Sequence, residues 1–169
     1  MQIRKAVGIV LLGCGITSAA AAGDCNNNSI PDAQDIQGDP TFSHALSYLT
    51  GALPNAFDVG DLNADGYPDV VTNSLFDNMI VVLLNNGDGT YALPVSYAAG
   101  MRPVSLAVGD TNRDGYDDVV VADQNGDEIL FFESDASGVL ALADTMPFDA
   151  PVLVLLENLT SDAHRDLVF

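Results

Sequence analysis

Residues 61–71 are Asp-Leu-Asn-Ala-Asp-Gly-Tyr-Pro-Asp-Val-Val, and residues 110–120 repeat the pattern as Asp-Thr-Asn-Arg-Asp-Gly-Tyr-Asp-Asp-Val-Val. In each stretch, oxygen-bearing side chains occupy loop positions 1, 3, 5 and 9, and Gly occupies position 6. Alternate side chains of a tight loop point inward, and Gly permits the positive φ that turns the chain back. A flexible cage of carboxylate, amide and carbonyl oxygens is what Ca²⁺ prefers, whereas zinc or copper would favour the Cys or His that both loops lack.

Two sets of calcium ligands follow from this pattern, each made of the side chains at positions 1, 3, 5 and 9 and the main-chain carbonyl at position 7. Ordinary surface turns are the alternative, because Asp, Asn and Gly are also the usual turn residues. Duplication of the whole pattern inside a longer repeat favours calcium. The predicted ligands are Asp61, Asn63, Asp65, Tyr67 and Asp69 in the first loop and Asp110, Asn112, Asp114, Tyr116 and Asp118 in the second.

The residues that follow each loop predict strands and not helices. A helix–loop–helix calcium site needs an acidic residue at position 12, where this chain has Thr72 and Val121. β-Branched runs at 70–72 and 119–121 follow the loops, and such residues are typical of strands. The two loops are therefore predicted to be corners between strands.

A third oxygen-rich stretch occupies residues 24–35, with Ser29 in place of the position-6 Gly. It resembles the calcium loops of dockerins and thrombospondin type 3 repeats, and an Asn-rich linker is the alternative. We assign residues 23–45 to this short acidic segment and a following linker. The candidate ligands are Asp24, Asn26, Asn28, Ile30 through its carbonyl, Asp32 and Asp35.

The N-terminus predicts export. Arg4 and Lys5 precede an apolar run at 6–16, and Ala residues at 20–22 offer a cleavage site, so residues 1–22 are predicted to be a signal peptide. The apolar run is too short to span a membrane comfortably, and a lipid anchor at Cys14 is the second choice. We expect a secreted, extracellular or cell-surface protein, with the periplasm as a further possibility.

The charge of the chain limits its partners. The formal net charge is −19 at pH 7, which repels nucleic acid and anionic lipid and excludes both as partners. The same charge suits divalent cations. Cleavage of the signal peptide would leave Cys25 as the one cysteine, which excludes a disulfide scaffold.

An internal repeat predicts the architecture. Ser47-Tyr48 recurs as Ser96-Tyr97 at the same offset that separates Asp61 from Asp110, and each unit has four short apolar runs bounded by turns. The predicted strands are 56–60, 69–73, 79–84 and 91–97 in the first unit, 104–109, 118–122, 129–133 and 139–143 in the second, and 152–156 at the start of a third.

Units of four antiparallel strands at this period are typical of propeller blades. The predicted fold class is all-β, an incomplete β-propeller with two complete blades, at about 46–94 and 95–146, and a partial one at 147–169. The third loop, at 158–166, has Ala163 in place of the Gly and changed ligand positions, so we expect weak metal binding or none. Because the chain stops inside a predicted strand, a fragment is favoured over a ring assembled from copies.

The duplicated Val-Gly-Asp-x-Asn-x-Asp-Gly-Tyr-x-Asp-Val-Val signature resembles the FG-GAP, or VCBS, repeats of integrin-α-like β-propellers, over about residues 46–169. The resemblance implies a secreted or surface propeller that holds Ca²⁺ in its loops. We expect a binding role, with an unknown protein or glycan as ligand.

Three functions were weighed. The first is a non-catalytic, calcium-stabilised module for adhesion or for protein or carbohydrate binding. The second is the propeller part of an exported polysaccharide lyase or hydrolase, but no triad, phosphate-binding loop or cofactor motif is evident, and we expect no enzyme. The third is a carbohydrate-binding propeller, in which Tyr48, Tyr91 and Tyr97 could stack on sugars, although tyrosines at strand spacing are more often packing residues.

Overall fold

The two duplicated loops each join a pair of antiparallel strands, as the β-branched runs predict. The computed structural model describes residues 46–157 and 166–169, which lie within one compact unit, Leu46–Phe169. The first sheet has the order β1-β2-β3-β4 and the second has the order β5-β6-β7-β8, each entirely antiparallel. Their strands are β1 (Phe57–Gly60), β2 (Asp69–Ser74), β3 (Met79–Leu83), β4 (Val95–Ala98), β5 (Pro103–Gly109), β6 (Asp118–Asp123), β7 (Glu128–Glu133) and β8 (Ala141–Pro147).

The described residues also include two strands of a third sheet. It contains β9 (Leu155–Glu157) paired antiparallel with β10 (Asp166–Val168). All elements of the described residues are strands, so the prediction of an all-β chain with two complete four-stranded sheets and one partial sheet is confirmed. Within 46–157 and 166–169, no helix is long and apolar enough to cross a membrane.

The second sheet lies between the other two, as the packing of its inner strand β6 shows. β6 is buried along its whole length, and successive residues of a strand point to opposite faces. Val119 and Val121 pack in a cluster with the first sheet, whereas Val120 and Ala122 pack in a cluster with the third. A continuous apolar run, in place of strict alternation, therefore marks a strand covered on both faces.

A tyrosine hydroxyl accepts a backbone N–H at two equivalent positions of the repeat. Tyr97 lies on β4, and the N–H of Leu140 donates to its hydroxyl at 3.2 Å. One repeat earlier, the N–H of Tyr91 donates to the hydroxyl of Tyr48 at 2.8 Å, and the two rings pack edge to face. These tyrosines are therefore packing residues of the repeat.

The fourth strand of the first unit is shorter than predicted. The predicted strand 91–97 begins only at Val95, after Pro94, which has no N–H for a ladder. The stretch before it is held by one isolated bridge between Asn85 and Tyr91. Since β4 pairs with β3, the predicted blade boundary between residues 94 and 95 is wrong and falls inside the first sheet.

The entering strand of the third unit also starts later than predicted. The sequence predicted 152–156, whereas β9 begins at Leu155. The N–H of Val154 donates to the Ser105 hydroxyl of the second sheet at 3.2 Å, so this amide is not available to a strand ladder. The predicted signal peptide (1–22) and acidic segment (23–45) lie outside the described residues.

The core between the first two sheets gives a stability prediction. Leu130 is 3% exposed in the cluster between these sheets, whereas Leu93 is 87% exposed. Leu130→Ala removes the same atoms as Leu93→Ala but also leaves a cavity, so it should cost about 2–5 kcal/mol of unfolding free energy, against roughly 0.5 kcal/mol or less for the control. Urea unfolding in calcium-containing buffer measures both, and equal losses would contradict the assigned core.

A pH prediction follows from the turn between β2 and β3. The backbone N–H of Ala52 and then the Ser74 hydroxyl donate to Asp77, which lowers the pKa of this exposed carboxyl below its usual value of 3.8. A lowered folded-state pKa gives stability that is complete above the unfolded pKa and is lost as the pH falls through the folded pKa. The melting-temperature advantage of the wild type over Asp77→Asn should therefore shrink below about pH 4. An advantage that is the same at pH 7 and pH 3 would contradict it.

Candidate metal centre

In the first loop, the oxygens of positions 1 and 3 meet at one backbone amide. The Asp65 N–H donates to Asp61 Oδ1 at 3.0 Å and to Asn63 Oδ1 at 3.1 Å. The Gly66 N–H donates to Asp61 Oδ2 at 2.8 Å. These bonds turn the Asp61 carboxylate and the Asn63 carboxamide toward the inside of the loop.

The second loop repeats this geometry with one difference. The Gly115 N–H donates to Asp110 Oδ2 at 3.2 Å, and the Asp114 N–H donates to Asn112 Oδ1 at 2.9 Å. One contact differs, because Asp110 Oδ1 receives the N–H of Arg113, at 2.6 Å. The duplication seen in the sequence is thus a duplication of conformation.

Position 5 completes the inward-facing group. Asp65 Oδ2 accepts from the Asn63 side-chain amide at 3.0 Å, and Asp114 Oδ2 accepts from that of Asn112 at 3.1 Å. Each Asp also accepts the N–H of the Tyr two residues later, at 2.8 and 2.9 Å. The structure therefore brings the side chains of positions 1, 3 and 5 together in both loops.

The backbone of both loops enters the left-handed region twice. Gly66 and Gly115 have φ of 87° and 92°, as predicted for position 6. Position 4 also has positive φ, with 56° at Ala64 and 68° at Arg113, a conformation that costs a non-Gly residue about 1–2 kcal/mol. This second positive φ could not be predicted, because neither Ala nor Arg favours the left-handed region.

Position 9 is different from the other three. Asp69 and Asp118 are buried, and both oxygens of each accept hydrogen bonds from the backbone. Asp69 receives the N–H of Leu62 at 3.0 Å and that of Asn85 at 2.7 Å. Asp118 receives the N–H of Thr111 at 3.0 Å, the Thr111 hydroxyl, and the N–H of Ser134 at 3.1 Å. These carboxylates tie each loop to the end of the third strand of its own sheet.

The electrostatics of the first loop follow from that burial. Burial raises the pKa of Asp69 above 3.8, the N–H groups of Asn85 and Leu62 oppose the rise, and the charges of Asp65 and Asp61 add to it. The carboxylates of the first loop thus act on one another in the absence of a counterion. A cation beside them would offset this repulsion.

The donor chemistry fits a hard cation such as Ca²⁺. Positions 1, 3 and 5 supply carboxylate and amide oxygens, and each carboxylate oxygen that accepts one N–H keeps a further lone pair. Ca²⁺ also takes backbone carbonyls and water to reach six to eight ligands, which the carbonyls of Tyr67 and Tyr116 could supply. In the described part of the chain, no three His, Cys, Asp or Glu side chains form a group that could hold a metal ion. In each loop, positions 1, 3 and 5 would supply two carboxylates and one amide, and main-chain or water oxygens would add to them. The predicted roles of Asp69 and Asp118 as further ligands stay predictions.

Two other predicted sites lie outside the described residues. The first is the stretch 24–35 with its six candidate ligands, and the second is most of the changed loop at 158–166. Their metal binding stays a prediction.

Two residues outside the loops that bind the position-9 carboxylates were not predicted from the sequence. Asn85 and Ser134 are separated by the repeat offset, and their amides bind the position-9 carboxylates. The offset alone could have aligned them. Nothing in their residue types would have assigned the role, because the donor is the main chain.

The role of position 9 can be tested without metal. Asp118→Ala leaves the buried amide of Ser134 without an acceptor and also removes the acceptor of the exposed Thr111, which should cost about 1–3 kcal/mol of unfolding free energy even in EDTA. Asp114→Ala, at an exposed position of the same loop, is the control and should cost little in EDTA. Urea unfolding with chelator measures both, and a small cost for Asp118→Ala would show that its carboxylate is not a structural acceptor.

Comparison with known sequences agrees with the repeated geometry. Residues 61–121 match the FG-GAP-like repeat family, and residues 103–140 match the FG-GAP repeat family. A comparison with curated proteins found no match. The four-stranded antiparallel sheets are consistent with the blades of an FG-GAP propeller. The similarity to FG-GAP repeats therefore extends over residues 61–140, which include both candidate calcium loops.

Proposed function

We propose that this chain is an exported, calcium-binding β-propeller repeat module that binds a protein or glycan partner and performs no catalysis. In this proposal Ca²⁺ occupies the loops at 61–69 and 110–118 and stabilises the corners between β1 and β2 and between β5 and β6. The observation that carries it is the matching inward orientation of the oxygens at positions 1, 3 and 5 in both loops.

The charge of the protein supports a role for a divalent cation. Asp and Glu number 24 against 5 Lys and Arg, and folding brings several of these carboxylates within the same short loop. A bound ion would offset their repulsion and hold the left-handed backbone at Ala64 and Arg113. Binding free energy then becomes folding stability.

The predicted export supports the same ion. A signal peptide at 1–22 would deliver the chain to surroundings where calcium is abundant enough to fill sites with dissociation constants of about 10⁻⁴–10⁻³ M. Location outside the cell also agrees with the FG-GAP repeats, which are typical of extracellular or surface proteins.

A binding role is favoured over catalysis by the side chains of the described residues. They include neither His nor Cys, the groups most often used as general base or thiol nucleophile. A cleft of about 260 Å³ beside Thr111, Phe131 and Asp144 is smaller than the roughly 300–1,000 Å³ of small-molecule sites. The hydroxyls of Tyr48 and Tyr97 each accept a backbone N–H, and the rings of Tyr48 and Tyr91 pack against each other, which weakens the case for a tyrosine platform that stacks on sugars.

Calcium removal gives the first test. At a calcium concentration 100 times the dissociation constant, each ion adds about 2.7 kcal/mol of stability, so chelation should lower the melting temperature by several degrees. Asp65→Ala combined with Asp114→Ala should abolish the calcium effect, whereas Asp144→Ala, an exposed carboxylate on β8, should keep it. Calorimetric titration should show two binding events. No heat and no thermal shift at millimolar calcium would refute the proposal.

The binding role is tested separately, because a calcium-stabilised enzyme would pass the first test. The calcium-loaded protein is applied to a glycan array and to extracellular-matrix proteins, and in parallel to a panel of polysaccharides assayed for new reducing ends or unsaturated sugars. Saturable binding without cleavage is the expected result. Turnover of a polysaccharide would instead favour the propeller part of a lyase or hydrolase.

A further inference from the structure

The two candidate calcium loops contact each other directly. The Asp61 N–H donates to Asp117 Oδ2 at 2.8 Å, and the Asp117 N–H donates to the Asp61 carbonyl at 3.1 Å. Position 1 of the first loop is thereby joined to position 8 of the second. The approach is close enough that a Cβ at Gly60 would collide with the Asp117 carboxylate.

A second connection passes through the buried residue Ser134. Its hydroxyl donates to the Leu62 carbonyl at 2.8 Å, and its N–H donates to Asp118 Oδ1 at 3.1 Å. The Leu62 N–H in turn donates to Asp69. A continuous series of hydrogen bonds therefore links the position-9 carboxylates of the two loops, with Ser134 in the middle.

We infer that Ser134 and Asp117 couple the two loops, so that calcium binding in one loop strengthens binding in the other. The inference rests on the proposed function. The ion in the first loop fixes the main chain of Asp61 and Leu62, and these residues supply the groups that Asp117 and Ser134 bind. The other loop then loses less conformational entropy when it binds its own ion.

The coupling is reciprocal, because linkage requires each ion to change the affinity of the other by the same factor. Ion–ion repulsion between the loops acts in the opposite direction. The hydrogen bonds are short-range and lie in or beside the buried core, whereas the inward oxygens of positions 1, 3 and 5 are open to solvent, where salt screens the repulsion. We therefore expect the net effect to be positive at physiological ionic strength.

The test measures the calcium affinity of each loop separately by NMR. The amides of Gly66 and Gly115 donate to the position-1 carboxylate of their own loops, so their ¹⁵N–¹H signals report calcium occupancy loop by loop. Asp65→Asn weakens the first loop while it keeps an acceptor oxygen, and the Gly115 signal then gives the affinity of the second loop. The matched variant Asp114→Asn, read at Gly66, measures the same coupling from the other side.

In the wild-type background, Asp65→Asn should weaken calcium binding at Gly115 about fivefold or more, at the lower end of usual coupling between sites. In a Ser134→Ala background the same change should weaken it clearly less, and adding Asp117→Ala should reduce the effect further, to what the remaining Asp117 N–H bond to the Asp61 carbonyl transmits. Ser105→Ala is the control, because this buried hydroxyl joins the second and third sheets and touches neither loop. It should leave the fivefold effect unchanged.

The outcomes separate the two proposals. No calcium-dependent shift at either glycine would refute calcium binding itself. Suppose that calcium binds in both loops and that Asp65→Asn does not change the calcium affinity of the second loop measured at Gly115. This result would refute the coupling and leave the proposed function intact. A coupling of equal size with and without Ser134→Ala and Asp117→Ala would show that it does not pass through these residues, which would also overturn the inference.

Discussion

Carboxylates that accept hydrogen bonds from backbone amides are the interaction on which the rest of this structure depends. A corner between two strands leaves N–H groups that no ladder can pair, and an unpaired buried amide is costly. In this chain, Asp carboxylates accept hydrogen bonds from these amides. Asp69 and Asp118 bind the amides at the base of the two loops, and Asp123 binds those of Met101 and Arg102 where β5 begins. No buried side-chain polar atom of the described residues lacks a partner.

The same use of Asp side chains brings several carboxylates close together, and a bound calcium ion would offset their mutual repulsion. Each loop has several acidic side chains close together, and in the first loop burial raises the cost of the Asp69 charge, as the raised pKa of Asp69 indicates. A divalent ion is the natural counter-charge, because the loop oxygens already converge and water can complete the coordination. The acidic composition, the tight corners and the proposed metal requirement are thus three consequences of one local arrangement.

Much of the fold could be predicted from the sequence because the signals were local and duplicated. The valine runs after Asp69 and Asp118 became fully buried strands, and Gly66 and Gly115 took the positive φ expected of them. The fourth strand was misjudged, since periodicity could not show that Pro94 would confine pairing to Val95–Ala98. The sequence also grouped position 9 with positions 1, 3 and 5, but could not reveal that Asp69 would be buried against two backbone amides, one from its own loop and one from the residues after β3. Contacts such as Ser134 with Leu62 are between sheets, and no pattern within one repeat specifies them.

The most direct measurement is a crystal structure of the calcium-loaded protein with an anomalous difference map recorded at long wavelength. The account predicts one calcium peak in each of the loops 61–69 and 110–118, within about 2.3–2.6 Å of oxygens from positions 1, 3 and 5. Asp61 and Asp110 should keep their bonds to Gly66 and Gly115. Loops without a peak, in crystals grown at millimolar calcium and with the Asp65 and Asp114 carboxylates turned to solvent, would contradict it.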